Sequence, residues 1–190
     1  MKNFDIMAFE GMRSYMKPTI QDYVTRTGET PQGTKHHPEG DVLVHTKIVF
    51  ARARNRSANN VDMQLAALFH DLGKVDTTVP KEDGGYSAHE HELVSTRLLT
   101  YARREVEELG GNYEKIKFIV RNHMRAKRLD EMKRSKVAEL EEQGEWFDDL
   151  MLFTECDDMS TATAWEVWIA GGSVLRFLYN KYYKHRKDKK

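Results

Sequence analysis

The stretch Leu65-Ala66-Ala67-Leu68-Phe69-His70-Asp71-Leu72-Gly73-Lys74 decides how this chain is read. Leu65, Ala66, Leu68 and Phe69 continue a helical apolar pattern that starts at Asp62 and runs to Leu72, stopping at Gly73. His70 and Asp71 close that pattern among neighbours that are almost all core-type. Two titratable side chains there are costly to bury unless they are paired or hold a metal. Adjacent helical residues lie about 100° apart, so both side chains can reach one point beside the helix. An imidazole nitrogen with a carboxylate oxygen suits Zn, Fe, Mn, Co or Ni, whereas Ca and Mg favour all-oxygen sites.

Working outward, the same periodicity recurs on both sides. Asp41 to Arg54 carries the stripe Val42, Val44, His45, Ile48, Val49 and Ala53, with Asp41 as the expected N-cap. A polar loop, Asp76 to Gly85, turns at Gly84-Gly85. His89 to Leu109 reads as one long helix, with Ser87 a competent N-cap and Gly110-Gly111 as its end. Tyr113 to Met124 aligns Ile116, Ile119, Val120 and His123, and Asp130 to Gln143 is a highly charged helix or excursion. Phe147 to Met159 is apolar on one side, and Ala162 to Tyr183 reads as a final long aromatic helix. All four prolines fall at or before position 80. No strand of clean period two is visible. The expectation is a single all-α domain of seven or eight helices.

Composition narrows the function classes. The chain has 190 residues, 30 Lys+Arg against 30 Asp+Glu, 39% hydrophobic residues and 32% charged residues. A length of this order indicates one domain with a real core. Net charge is zero, which gives no global electrostatic case for binding nucleic acid or an anionic membrane. No apolar run is long enough for a membrane span, and Asp5 and Glu10 interrupt the N-terminal apolar stretch where a secretory signal would need none. The single cysteine, Cys156, excludes an intramolecular disulfide and a multi-cysteine zinc site. It fits a reducing, cytoplasmic setting. Eight histidines against one cysteine mean that any metal ligands must be imidazole and carboxylate.

Four further positions extend the His70-Asp71 pair. His45 lies inside an apolar stripe, His89 opens a helix, His123 closes one, and Asp157 places a carboxylate in LMLFTECDDM. His45, His70, Asp71, His89, His123 and Asp157 could fill one metal site or two bridged by a carboxylate. On a helix His91 falls about 200° from His89 and is expected to face elsewhere. His36 and His37 precede Pro38 in a loop that either lines the mouth of the site or is simply solvated, and His185 sits in the tail HRKDKK. Lys74 follows the turn through Gly73, either to approach a substrate phosphate as a point charge or as an ordinary surface lysine. Arg121, Arg125, Lys127 and Arg128 cluster beside His123, as a phosphate or RNA-backbone contact or as a solvated basic face. Trp165, Trp168, Phe177 and Tyr179 are expected in the core or a dimer contact.

His45, His70-Asp71 and Asp157, in that order, resemble the H…HD…D ligand set of the HD-domain superfamily of metal-dependent phosphohydrolases. The likeness is closest to the HD domains of bacterial tRNA nucleotidyltransferases and their stand-alone or kinase-linked relatives. It is carried by HHPEGDVLVHT (His36 to Thr46), AALFHDLGK (Ala66 to Lys74), AHEHELVSTRLL (Ala88 to Leu99) and IVRNHM (Ile119 to Met124), and spans about Thr34 to Thr161. The implied organisation is an N-terminal helical extension over 1–33, an HD core over 34–161, and a C-terminal helix and basic tail over 162–190. The residues ahead of Thr34 are too few for a nucleotidyltransferase domain, so CCA addition is not expected of this chain.

The resemblance implies an all-helical hydrolase using one or two divalent transition metals. His45, His70, Asp71 and Asp157 would hold the first ion. Positions matching His89 and His123 would bind a second metal or the phosphate, with Asp71 as the bridge. Asp157 fits the spacing better than Asp158. The expected reaction is metal-assisted hydrolysis of a phosphomonoester or phosphodiester, with Lys74 and Arg125 neutralising charge on the phosphoryl oxygens. The implied substrate is a small nucleotide or an RNA end: a 2′,3′-cyclic phosphate, a 2′-phosphate or a nucleoside monophosphate. The alternatives are a non-catalytic nucleotide- or RNA-binding module and, with less support, an HD-type di-iron oxygenase.

Overall fold

The computed structural model describes residues 3–182. His185 and the basic tail beyond 182 lie outside the described residues, as does the side chain of Tyr179. Eight helices of nine residues or more carry the fold: α1 (Asn3–Tyr15), α2 (Pro18–Arg26), α3 (Val42–Arg56), α4 (Val61–Phe69), α6 (His91–Tyr101), α8 (Tyr113–Ala126), α10 (Glu145–Asp157) and α12 (Val174–Tyr182). Shorter helices α5 (Lys74–Thr77), α7 (Arg103–Glu108), α9 (Arg134–Glu141) and α11 (Ala164–Ile169) link them. The chain is all-α in class. No helix among the described residues is long and apolar enough to cross a membrane.

The caps follow from sequence. Asp41 Oδ1 accepts from Val44 N at 2.9 Å and starts α3, Asn60 Oδ1 accepts from Asp62 N at 2.9 Å and starts α4, and Asn112 Oδ1 accepts from Lys115 N at 3.2 Å at the head of α8. Each satisfies one of the amide groups that a helix start leaves unpaired. The apolar faces then bury against one another. Helix α4 lies between α3 and α8, α6 and α10 flank α8, and α1 packs on α3 through an edge-on contact of Phe9 with Phe50. The main core holds Phe50, Leu65, Leu68, Phe69, Ile119 and Phe153, all fully buried. Burying each such side chain is worth about 1.5–3 kcal/mol. A second cluster, built on Val44 and Ile48, joins the other side of α3 to Met159, Val167 and Phe177.

Two segments differ from the sequence expectation. The span 89–109 is not one helix. Thr78–Pro80 and Tyr86–Ala88 form antiparallel strands β1 and β2 around the Gly84-Gly85 turn, in register Thr78↔Ala88, Val79↔Ser87 and Pro80↔Tyr86. Strands of three residues are too short to show alternation. Ser87 belongs to β2, the chain turns through Glu90 at φ +55, and α6 begins only at His91. The second difference is at 162–182, where Gly171 (φ +86) and Gly172 separate α11 from α12. A Cβ on Gly172 would lie 2.7 Å from Val167 Cγ1, so glycine is needed for the sharp reversal. Phe177 is buried there as expected, but Trp165 and Trp168 are 58% and 59% exposed, with ring centroids 4.9 Å apart.

Among the described glycines, the one in the turn that follows α4 has the least room around it. Gly73 has an ordinary helical φ of −65°, so its conformation does not require glycine. Its surroundings do: a Cβ there would lie 2.1 Å from His91 O and 2.8 Å from Val94 Cβ. Gly73 N also donates to the buried Ser95 Oγ at 2.9 Å, which ties the turn to the start of α6. Gly73→Ala must therefore push α6 away from Asp71. We expect a loss of about 1–3 kcal/mol in stability by urea denaturation, as for an overpacked core position. An unchanged midpoint would show that the contact is slack.

Candidate metal centre

Six side chains, from four helices and the turn after α4, meet at the buried floor of a cleft. His45 lies in the first turn of α3, His70 and Asp71 in the turn after α4, His91 opens α6, His123 is in the last turn of α8, and Asp157 ends α10. Each is at most 3% exposed. Helix ends place them here because a polar side chain can project past the apolar stripe of its helix without disturbing it. The Phe153 ring stands edge-on to His70, with centroids 5.4 Å apart.

The six form two groups around one carboxylate. On one side His45 Nε2 lies 2.9 Å from Asp157 Oδ1 and 3.3 Å from His70 Nε2. On the other, His91 Nε2 lies 3.3 Å from His123 Nε2. Asp71 stands between them. Its Oδ1 is 3.1 Å from His91 Nε2 and 3.8 Å from His123 Nε2. Its Oδ2 is 3.4 Å from His70 Nε2 and 3.5 Å from His45 Nε2. The ligand atoms of His45, His70 and Asp157 lie within 4.8 Å of one another, and so do those of Asp71, His91 and His123.

The outer nitrogens fix which way the imidazoles present themselves. His70 Nδ1 lies 2.9 Å from Ala67 O, His91 Nδ1 2.9 Å from Ala88 O, and His123 Nδ1 2.9 Å from Val120 O. A carbonyl only accepts, so each Nδ1 carries the hydrogen and each neutral ring turns a bare Nε2 lone pair inward. In neutral rings, two such lone pairs facing each other at 3.3 Å, as in His91 and His123, have no hydrogen between them. A divalent transition metal suits this donor set of imidazole nitrogens and carboxylate oxygens. The residues present therefore fit a metal.

Charge in the centre is arranged to keep the carboxylates ionised. Burial alone would raise the Asp71 carboxyl, but the neighbouring His70 ring and the Lys74 ammonium hold it well below the usual range. Asp157 is likewise held down against burial by the charge of Lys127 and the hydrogen bond with His45. Burial opposes protonation of His45, yet Asp157 and Glu39 outweigh it and push the imidazole up to about 9. His123 goes the other way, driven well below its usual value by burial and by the neighbouring His70 ring.

Of the residues singled out in the sequence, the structure brings together His45, His70, Asp71, His123, Asp157 and Lys74. His89 is a correction. It is exposed in the turn after β2, and His91, expected to face elsewhere, occupies the cluster. The reason is the helix start: the 200° argument needed both residues inside one helix, but α6 begins at His91. Arg125 is the second correction. It is half-buried and its Nη1 donates to Asn122 Oδ1 at 2.8 Å, about 200° around α8 from the residues flanking it by two. Lys127, one turn on from His123, is the cation that reaches in, with Nζ 2.6 Å from Asp157 Oδ2. Asp158 instead caps the next turn, accepting from Ser160 N at 2.8 Å.

Three residues escaped the sequence reading. Glu39 is 2% exposed, with Oε1 3.0 Å from His45 Nδ1 and 3.1 Å from His37 Nδ1. Burial would raise this carboxyl, but the hydrogen bond with His37 and the charge of His45 hold it down at about 2. Gln32 passes its amide to Glu39 and takes a hydrogen bond from Lys74 Nζ at 2.7 Å. The third is His91. Lys74 Nζ is also 2.7 Å from Asp71 Oδ2. Above the cluster opens a cleft of about 970 Å³, walled by the 31–38 loop, the hairpin, the C-terminal end of α8, and α12. Of the two readings of His36 and His37, lining the mouth is the one that the cleft matches, and Tyr86 and Met124 line it with them.

Comparison with known proteins agrees with this geometry. The HD domain family matches residues 18–146. Among curated proteins, the multifunctional CCA protein of Alkalilimnicola ehrlichii is 32% identical over 116 residues, 58% of this chain and 26% of that protein. The multifunctional CCA protein of Stenotrophomonas maltophilia strain K279a is 29% identical over 110 residues, with the same coverage of 58% and 26%. That of Nitrosospira multiformis is 43% identical over 60 residues, 32% of this chain and 14% of that protein. The chain thus spans about a quarter, or less, of the length of these relatives. No solved structure matches it at a comparable level. With the family matched over most of its length, and its His-Asp pair at the centre of a buried imidazole–carboxylate cluster, the chain belongs to the HD-domain family, within the metal-dependent phosphohydrolase superfamily.

Proposed function

We propose that this chain hydrolyses a phosphomonoester or phosphodiester of a nucleotide or RNA end, using two divalent transition metals. The observation that carries the reading is Asp71, whose two oxygens face different imidazole pairs. His45, His70, Asp157 and Asp71 Oδ2 would hold one ion with four donors. His91, His123 and Asp71 Oδ1 would hold the other with three, leaving more room for substrate. Ions bound in this way supply an activated water and polarise a phosphoryl oxygen.

The chain's own residues supply the rest. Lys74 and Lys127 border the cleft with ammonium groups beside Asp71 and Asp157, where they meet the equatorial oxygens of a bound phosphate. Lys74 is fixed by Gln32 and cannot swing away freely. Lys74 is buried, so its charge acts in a lower dielectric than that of Lys127, whose side chain is 30% exposed. The cleft volume, about 970 Å³, accommodates a nucleotide. Resemblance to proteins named for CCA supports an RNA end or nucleotide as the body carrying the phosphate.

Two results are expected. Purified protein loaded with Mn²⁺ or Ni²⁺ should contain two ions per chain and release phosphate from a 2′-phosphate or a nucleoside monophosphate, or open a 2′,3′-cyclic phosphate to a monoester from which an added phosphatase then releases phosphate. The His70→Ala/Asp71→Ala variant should lose both properties. Salt-sensitive nucleotide binding that survives in this variant, without turnover in the parent, would favour a binding module. Oxygen consumption with bound iron would favour an oxygenase. Separately, His91→Ala should lower the metal content toward one ion and reduce turnover, while His89→Ala leaves both within about twofold, the spread expected of a surface position. The reverse pattern would contradict the assignment of His91.

A further inference from the structure

Glu39 is buried behind His45 and lies outside the ligand set. The four inward-facing imidazoles are not backed alike. His70, His91 and His123 each meet a backbone carbonyl at Nδ1, whereas Nδ1 of His45 meets the Glu39 carboxylate at 3.0 Å. The approach is oblique to the ring N–H, so charge contributes more here than hydrogen-bond direction. A carboxylate behind a ligating imidazole fixes its tautomer and raises its basicity more than a neutral carbonyl does.

The carboxylate is itself held from the far side of the centre. Lys74 Nζ, 2.7 Å from Asp71 Oδ2, donates to Gln32 Oε1 at 2.7 Å, and Gln32 Nε2 donates to Glu39 Oε1 at 3.3 Å. A continuous polar chain thus runs from Asp71 through Lys74, Gln32 and Glu39 to His45. The loop carrying Glu39 does not need that charge to keep its shape. It is closed by Gln32 N to Gly40 O at 3.0 Å, by Val42 N to Thr30 O at 3.2 Å, and by Asn180 Nδ2 to Pro38 O at 3.1 Å. Glu39 Oε2 has no hydrogen-bond partner, so an amide would serve a purely loop-holding role at least as well.

We infer that Glu39 is a positioning residue that acts through His45, making the His45/His70/Asp157 side of the centre hold a divalent cation more tightly than the Asp71/His91/His123 side. This rests on the two-metal reading above. The two sides load in order, and the charge of Glu39 widens the gap between them.

The test is a titration of chelator-treated full-length protein with Mn²⁺ alone, with free Mn²⁺ read by electron paramagnetic resonance. The unaltered chain should bind in two resolved steps. Glu39→Gln, which preserves shape and removes charge, should weaken the tighter step about 10- to 100-fold and leave the weaker one within about twofold. Glu39→Asp should recover part of the loss. Thermal unfolding of metal-free Glu39→Gln, matching that of the parent, separates this effect from loss of the loop. Superimposable isotherms for parent and Glu39→Gln would overturn the inference, as would equal weakening of both steps. Failure of the parent to bind any Mn²⁺ would sink the two-metal reading, and this inference with it.

Discussion

The Asp71 carboxylate is the constraint on which the rest of the structure depends. It is 2% exposed and ionised, and a lone carboxylate in such a place would cost several kcal/mol. Each of its oxygens must therefore be met. Oδ1 faces His91 and His123, and Oδ2 faces His45, His70 and the Lys74 ammonium. Satisfying one carboxylate from so many directions requires side chains from α3, α6 and α8 and from the turn after α4. The helical packing is the arrangement that delivers them.

That arrangement works through small features at helix ends. Gly73 lets the turn after α4 touch the start of α6, which brings His91 within 3.1 Å of Asp71. Carbonyls three residues back hold the rings of His70, His91 and His123, so these imidazoles are oriented by their own local backbone. His45 is oriented by a loop instead, through Glu39, and that loop is pinned by α12 through Asn180. The centre is thereby asymmetric in donor number and in what stands behind the donors. Helix α12, beyond the stretch matched by the family, thus helps shape both the cleft and the support of the His45 imidazole.

Much of this was legible in the sequence, for a definite reason. His45, His70, Asp71, His123 and Asp157 interrupt apolar helical faces, where a titratable side chain is conspicuous. His91 could have been found the same way. It falls in step with Ser95, Leu99 and Ala102, all buried, while His89 does not. What hid it was the hairpin: three-residue strands show no alternation, and Ser87 imitates an N-cap. Lys127 rather than Arg125 follows from the one-turn spacing to His123, which a cluster of four cations over residues 121–128 obscures. Gln32 and Glu39 sit in an irregular loop with no period to betray a buried side chain. Their roles come only from the folded approach of that loop to Lys74 and His45.

The central claim is that Asp71 joins two metal positions, and the most direct measurement of it is anomalous X-ray diffraction from Mn²⁺- or Zn²⁺-loaded crystals at the metal absorption edge. The account predicts two peaks about 3.5–4 Å apart, as in other two-metal hydrolytic centres. One peak should lie against His45, His70 and Asp157 and the other against His91 and His123, with the Asp71 carboxylate between them. A single peak at full metal loading, or peaks away from Asp71, would contradict it.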